Sequence, residues 1–183
     1  MSPPGPVVSN AGPLMVLAKL NLLHMLKALY GYVYIPRSVY EEVVTKGVRQ
    51  GHEDARSLHL FLQQVGWNAE DVDPAQAPAD VQEAHLDRGE RDVLALAIAL
   101  GGALVLMDDA AGRKVARAHG LATRGSLGVL VESYRKGLIS ADQLRFYFAE
   151  IAGRRDIWIS RALVEWLRQE VLGDQSGETC EVG

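Results

Sequence analysis

The chain has 183 residues, of which 48% are hydrophobic and 23% are charged, an ordinary composition for a globular protein. Its net charge of −4 excludes a basic nucleic-acid footprint over the whole chain, although basic residues cluster locally. The single cysteine, Cys180, excludes a disulfide framework and a cysteine-based zinc site.

The same data predict the domain organisation and location. We expect a flexible start at residues 1–6, one domain at 7–172 with its helices at 140–172 packed on it, and a disordered tail at 173–183. No apolar run is long enough to cross a membrane, and the N-terminus lacks the features of a secretory signal. A cytoplasmic protein is therefore expected.

Strands and helices alternate along the chain. Strands are predicted at residues 7–10, 32–35, 65–68, 103–107 and 121–123. Helices are predicted between and after them, at 14–20, 22–29, 37–44, 53–63, 80–85, 93–100, 110–119, 126–136, 140–151 and from Ser160 onwards. This order predicts an α/β protein, a three-layer α/β/α sandwich with a central parallel sheet.

The chain is organised around residues 86–109. Residues 93–100 are apolar on every side, which predicts a buried helix. After a Gly-Gly break, residues 103–107 predict a strand that is buried on both faces and ends at Asp108 and Asp109. Acids so close to a dry core need a compensating partner, and a metal ion is one such partner.

Polar residues follow the ends of the predicted strands. Asn10 ends the first strand, and Asp108 and Asp109 end the strand at 103–107. Glu42 lies in the helix after the second strand, and Glu90 opens the buried helix. Because ligands of such sheets bind beyond the carboxyl ends of the strands, we expect these side chains to share one pocket.

Each of these residues also has a purely structural interpretation. Glu90 has the spacing of a capping box, and Asp109 that of an N-cap. Glu42 could pair with Lys46 four residues later, and Asn10 could be a turn residue. Asp108 is the hardest to explain structurally, and one metal site would explain all five positions.

Four segments together resemble the PIN-domain family, and more closely its poorly characterised bacterial and archaeal group related to toxin ribonucleases. They are VVSNAGPL at 7–14, IPRSVYEEV at 35–43, LDRGERDVLALAIALGG at 86–102 and ALVLMDD at 103–109, followed by GRKVARAHGL at 112–121. The resemblance implies a PIN-like fold and places the family's acids at Asn10, Glu42, Glu90 and Asp108, with Asp109 beside the last. Pro36, Val39 and Glu42 match the family's Pro-x-x-Val-x-x-Glu spacing.

The resemblance also implies an activity and partners. It implies cleavage of RNA that depends on Mg²⁺ or Mn²⁺ held by these carboxylates, a small antitoxin protein as a possible inhibitor, and a homodimer. Arg113, Lys114 and Arg117 follow the acids and could hold an RNA backbone, although such a cluster is more often a solvated helix face. Ser126, at the start of a helix, could offer its hydroxyl and backbone N–H groups to a phosphate.

Asn10 departs from the family pattern, which usually has Asp at this place. Asparagine keeps a carbonyl oxygen but lacks the charge, so weaker metal binding is expected. The alternative function is therefore a catalytically weakened PIN-like scaffold that binds nucleic acid or protein. A receiver-like phosphoacceptor domain fits less well, because it needs an acid pair after the first strand, where Ser9 and Asn10 stand.

Overall fold

Parallel strands form the main sheet of the computed structural model, which describes residues 5–173. The sheet order is β1 (Val7–Ser9), β4 (Leu104–Leu106) and β5 (Ala122–Arg124), and Val7 lies opposite Leu104, which lies opposite Ala122. Val8, Val105 and Leu106 are buried, as expected for strands covered on both faces. The predicted α/β class with a parallel sheet is confirmed, in agreement with a PIN-like α/β/α fold.

A second, smaller parallel pair extends the sheet region. It consists of β2 (Ile35–Pro36) and β3 (Ala69–Glu70), and a bridge between Val8 and Tyr34 links it to β1. The strand predicted at 65–68 is wrong, because the preceding helix continues to Val65 and ends at Gly66, whose φ is +71°. That left-handed residue is a common helix ending, and the strand starts only after it.

The described residues divide into two compact units, 5–126 and 127–173, so the single domain predicted for 7–172 stays a prediction. The predicted loose start and tail lie outside the described residues, apart from Gly5, Pro6 and Gly173. The α-helices of the first unit are α1 (Ala11–Lys19), α2 (Leu23–Tyr30), α3 (Arg37–Tyr40), α4 (Gly47–Arg49), α5 (Glu53–Val65), α6 (Ala79–Glu83), α7 (Arg88–Ala99) and α8 (Ala110–Ala118).

One helical run continues further than its sequence suggests. A π-helix, Glu41–Lys46, joins α3 to α4, so the helix predicted to stop at Val44 reaches Arg49. Gly47 lies inside this run, where a side chain is excluded because a Cβ would stand 2.5 Å from Cβ of Ala55 in α5. Gly47 therefore allows α4 and α5 to approach closely, and the helical run continues through it.

The predicted buried helix is α7. Its apolar residues Val93, Leu94 and Ala97 are buried, but Ala99 is exposed, so the helix is not covered on every side. Gly101 and Gly102, with φ of +77° and +106°, then turn the chain into β4. Such angles are open to glycine at little cost, which explains the Gly-Gly break.

Helix α9 (Ser126–Arg135) begins at the last residue of the first unit, and the rest of it lies in the second unit. The second unit also contains α10 (Ala141–Gly153) and α11 (Arg161–Leu172). Ser140 and Ser160 cap α10 and α11, as predicted. Residues 157–159 are in no strand, and Trp158 is 94% exposed. None of the helices in the described part of the chain is long and apolar enough to span a bilayer.

Candidate functional site

The carboxyl ends of β1, β4 and β5 lie at one edge of the sheet. Ser9 is paired with Leu106, and Leu106 with Arg124, so the residues that follow these strands are neighbours. The backbone N–H of Asn10 still donates to the carbonyl of Leu106 at 2.9 Å. The strand ends therefore bring Asn10, Asp108 and Ser126 to the same edge.

Asp108 is held at this edge by Ser126. The backbone N–H of Ser126 donates to Oδ1 of Asp108 at 2.7 Å, and the hydroxyl donates to Oδ2 at 2.6 Å. A Cβ at Gly12 would lie 3.0 Å from Oδ2, and a Cβ at Gly125 would lie 2.8 Å from Oδ1. The carboxylate is therefore fixed in orientation and enclosed by positions where only glycine fits without displacement.

This arrangement gives Ser126 a different role from the RNA contact predicted for it. Ser126 is completely buried, and its hydroxyl is engaged by Asp108. Hydrogen bonds of this kind orient a ligating or catalytic carboxylate from behind. We therefore assign Ser126 a positioning role toward Asp108.

The start of α7 supplies the next acids. Asp87 and Glu90 form a capping box: Glu90 N–H donates to Oδ1 of Asp87 at 2.7 Å, and Asp87 N–H donates to Oε2 of Glu90 at 3.0 Å. Glu90 is only 9% exposed, whereas Asp87 is exposed. The structural interpretation of Glu90 is thus correct, and its capping bond engages Oε2.

Gly89 places this helix start beside β1. A Cβ at Gly89 would lie 3.5 Å from Oδ1 of Asn10 and 3.4 Å from Oδ1 of Asp87. Asn10 precedes α1 but makes no side-chain capping bond to it, although it is 8% exposed. Its amide is therefore not explained as a helix cap and borders the acids of α7.

Four carboxylates share one electrostatic environment. Burial raises the pKa of Glu90, and the negative charges of Asp87, Asp109 and Glu42 raise it further, against the hydrogen bond from Asp87. Desolvation also raises the pKa of Glu42, Asp87 adds to the rise, and Lys46 opposes it. Repulsion among acids of this kind is relieved by a bound cation.

Asp109 and Glu42 lie at the outer side of this group. Asp109 is exposed and caps α8, because its Oδ1 accepts from Gly112 N–H at 2.8 Å. Glu42 is exposed and lies in the π-helix, a deformation that is frequent at functional sites. Both residues thus keep carboxylate oxygens open to solvent.

The predicted residues come together in part. The negative charges of Glu42 and Asp109 raise the pKa of Glu90, so these three carboxylates are near one another. Asn10 and Asp108 follow the paired strands β1 and β4 and therefore lie at the same edge of the sheet. Within the described residues, however, no three acidic, histidine or cysteine side chains stand close enough to hold an ion jointly. The ligand set therefore stays a prediction. The sequence analysis did not include Asp87 among the candidate site residues. Its capping-box spacing to Glu90 was the signal that could have placed it there.

One basic side chain, that of Arg113, lies next to Asp108. A Cβ at Gly125 would stand 3.3 Å from Nη1 of Arg113, so this guanidinium borders the same space as the Asp108 carboxylate. Lys114 is exposed, and Arg117 donates from Nε to Oγ1 of Thr123 at 3.2 Å. Of the predicted RNA-binding residues, Arg113 lies in the best position to reach a phosphate near the acids.

Glu90→Gln is expected to stabilise the metal-free protein by on the order of 1 kcal/mol at pH 7 and by little at pH 4. Because the folded-state pKa of Glu90 is raised, its carboxyl disfavours folding once it is ionised, and this loss grows as the pH rises through that pKa. Glutamine keeps the acceptor for Asp87 N–H. Urea unfolding in EDTA at both pH values measures the difference.

A matched control is Glu83→Gln, at an exposed glutamate of α6, which is expected to change the unfolding free energy little at either pH. Equal stability of Glu90→Gln and the wild type at pH 7 would contradict the idea that the site disfavours the ionised carboxyl.

Comparison with known proteins adds one finding. A family model described as a PIN domain matches residues 6–172. No match was found among curated proteins. The matched range includes every residue of the candidate site, and its description agrees with the resemblance carried by the four sequence segments.

Proposed function

The chain belongs to the PIN-domain family, and on that premise we propose that it is a metal-dependent ribonuclease that uses Mg²⁺ or Mn²⁺. Membership of this family indicates a nuclease-type, hydrolytic function. Two observations carry the finer proposal: the acid cluster, defined as Glu42, Asp87, Glu90 and Asp109, and the carboxylate of Asp108, which Ser126 holds in one orientation.

The donors fit a hard divalent cation. Asn10, Glu42, Glu90, Asp108 and Asp109 offer only oxygen, which Mg²⁺ and Mn²⁺ prefer. No basic side chain of the described residues is among the charges that act on the carboxyl of Glu90. Mg²⁺ usually takes one or two carboxylates and keeps several waters, so it is compatible with the finding that no three such side chains converge within residues 5–173.

The roles of the chain's own residues follow from their positions. Asp108 would hold the ion with Asn10 and Glu90, while Ser126 keeps its carboxylate oriented. Arg113 would bind a phosphate of the RNA backbone beside Asp108. A bound Mg²⁺ or Mn²⁺ supplies an activated water and neutralises charge on the phosphate.

We expect the purified full-length protein to cleave single-stranded RNA in Mg²⁺ or Mn²⁺ and to lose this activity in EDTA. Restoring the metal in excess should restore cleavage, because EDTA removes only the ion. Gel analysis of end-labelled RNA measures the products. Cleavage that persists in EDTA would argue against the metal-dependent mechanism, and no cleavage with either metal would favour the alternative function.

The alternative is a weakened PIN-like scaffold that binds nucleic acid or protein without turnover. Asn10 favours it, since a neutral amide stands where the family pattern usually has an acid. The acids at Glu42, Glu90, Asp108 and Asp109 favour the ribonuclease.

We further propose that the protein is the toxin of a cytoplasmic toxin–antitoxin pair, acts as a homodimer and is inhibited by a small antitoxin. Several large apolar side chains are exposed in the second unit, and a partner protein that covered them would remove apolar surface from water. These side chains are Leu138, Phe146, Trp158, Leu163 and Trp166.

A further inference from the structure

A cavity of about 480 Å³ lies in the first unit, between the short 3₁₀-helix Pro74–Gln76, α6 and the first turns of α7. That volume is within the range of small-ligand sites. Its charged and amide lining groups belong to Gln82, Arg88, Arg91 and Asp92, and its apolar lining to Pro74, Ala75, Ala77 and Ala95. The cavity therefore combines one carboxylate and two guanidinium groups with an apolar wall.

One face of α7 carries most of these groups. Arg88, Arg91, Asp92 and Ala95 are spaced i, i+3, i+4 and i+7, so the helix brings them to the same side. Successive residues of an α-helix are rotated by about 100°, so Glu90 lies on a different face. The cavity is thus separate from the acid cluster, although both use the start of α7.

Asp92 is the most buried charged group of the cavity. Its side chain is only 8% exposed, and no group within residues 5–173 donates a hydrogen bond to it. Its ion pair with Nε of Arg88 spans 3.8 Å, which is beyond hydrogen-bond distance. The carboxylate oxygens are not fully enclosed, and the residue lines the cavity. A buried carboxylate without a donor is costly, and a ligand that enters the cavity can supply one.

The two arginines lie toward the rim and keep donors for a ligand. The side chain of Arg88 is 73% exposed, and it meets Asp92 only at the 3.8 Å distance. Arg91 is half-buried, and its Nη1 donates to the backbone carbonyl of Gln82 at 3.5 Å, the limit of a hydrogen bond. In the part of the chain that the structure describes, neither guanidinium is clamped by a carboxylate, the partner that such groups bind best.

The rest of the cavity is a firm, mostly apolar wall. Ala77 and Ala95 are 8% and 6% exposed. Asp73 caps the 3₁₀-helix by accepting from Ala75 N–H at 3.0 Å, and Nε2 of Gln82 donates to the carbonyl of Ala77 at 2.7 Å. An aliphatic group of a ligand that packs against this wall removes apolar surface from water.

We propose that this cavity binds a zwitterion of the α-amino acid class with an uncharged side chain. The ammonium group of the ligand donates to Asp92, its carboxylate accepts from Arg88 and Arg91, and its side chain packs against the apolar wall. The opposite charges of Arg88 and Asp92 are 3.8 Å apart, so they match a ligand whose ammonium and carboxylate are on one carbon.

A bare anion fits this cavity less well, because it leaves Asp92 without a donor and is repelled by its charge. A bare cation likewise leaves both arginines without an acceptor. The proposal goes beyond the ribonuclease function and does not depend on it, since none of the lining residues belongs to the acid cluster.

Calorimetric titration of the full-length protein with L-leucine tests the site. Saturable binding is expected, and the matched probes should each bind at least about tenfold more weakly, because each loses a charge-assisted contact. Isoamylamine lacks the carboxylate, and 4-methylpentanoate lacks the ammonium group. An isomer of leucine, 6-aminohexanoate, keeps both charges but carries them at opposite ends of the molecule.

Variants connect the binding to this cavity. Arg91→Gln and Asp92→Asn are each expected to weaken leucine binding by about tenfold. Arg56→Gln, at an exposed arginine of α5, is the matched control and should bind like the wild type. Urea unfolding checks that each variant is folded, and Arg88→Gln, at the exposed rim, replaces Asp92→Asn if that variant does not fold.

The proposal is overturned if none of L-leucine, L-valine and L-alanine binds saturably at millimolar concentration. Equal binding of 4-methylpentanoate overturns it as well, since the arginines would then hold a bare anion, and equal binding of isoamylamine removes their role. Equal binding of 6-aminohexanoate rejects the match in charge spacing. Leucine binding that is unchanged in both Arg91→Gln and Asp92→Asn lies elsewhere on the chain and rejects this site.

Discussion

Asp108→Asn is expected to reduce metal-dependent RNA cleavage by about 100-fold or more while the protein stays folded. Asparagine has the shape of aspartate and can still accept from Ser126 N–H, but it lacks the charge that would hold the ion. Initial cleavage rates at saturating Mg²⁺, with the unfolding curve of the same sample, measure both parts of the expectation.

Two further variants test the reason for this effect. Ser126→Ala removes the hydroxyl but keeps the backbone donor, so a smaller loss of about tenfold is expected, with a higher Mg²⁺ requirement. Asp142→Asn, at an exposed aspartate of α10, is the matched control and should cleave like the wild type. Wild-type cleavage by Asp108→Asn would remove Asp108 from the mechanism.

Asn10→Asp is expected to tighten Mg²⁺ binding about tenfold and to raise cleavage at limiting metal, because one more anionic oxygen enters the site. The same change should destabilise the protein in EDTA by about 1–3 kcal/mol, since it places a charge at a position that is 8% exposed and borders Asp87. Calorimetric Mg²⁺ titration and urea unfolding, with and without the metal, measure the opposite signs.

Tighter Mg²⁺ binding together with lower stability in EDTA distinguishes a metal site at Asn10 from a simple polar turn. Asn21→Asp, at an exposed turn residue, is the matched control and should alter neither quantity appreciably. If Asn10→Asp is destabilised equally with and without Mg²⁺, the position is not a metal ligand. If Asn10→Asp cleaves RNA and the wild type does not, the natural chain is the weakened scaffold of the alternative function.

Sequence reasoning reached the fold because its strongest signals are local. The apolar run at Leu104–Leu106, stopped by two aspartates, and the glycines before it predict a buried parallel strand by composition alone. The same pattern placed Asn10 and Asp108 at one edge, because parallel strands end on the same side. The capping roles of Asp109 and Glu90 were also predictable, since they depend on spacing within one helix turn.

The rest depends on contacts that the sequence does not display. The sequence predicts a helix end at Val44, because the contact that requires Gly47 inside the helical run comes from Ala55 of α5 and is visible only in the fold. The hydrogen bonds of Ser126 to Asp108 join the start of α9 to the segment after β4 and have no local signature.

The parallel sheet has a consequence for the order in which the protein is made. Val7 is synthesised long before its partner Leu104, which follows most of the first unit, and Ser126 follows later still. Pairing of such distant segments must wait for the last of them, because domains fold as units during synthesis. A nascent chain therefore keeps Asn10 apart from the acids of α7 and from Asp108 until the segment that carries Ser126 has been synthesised.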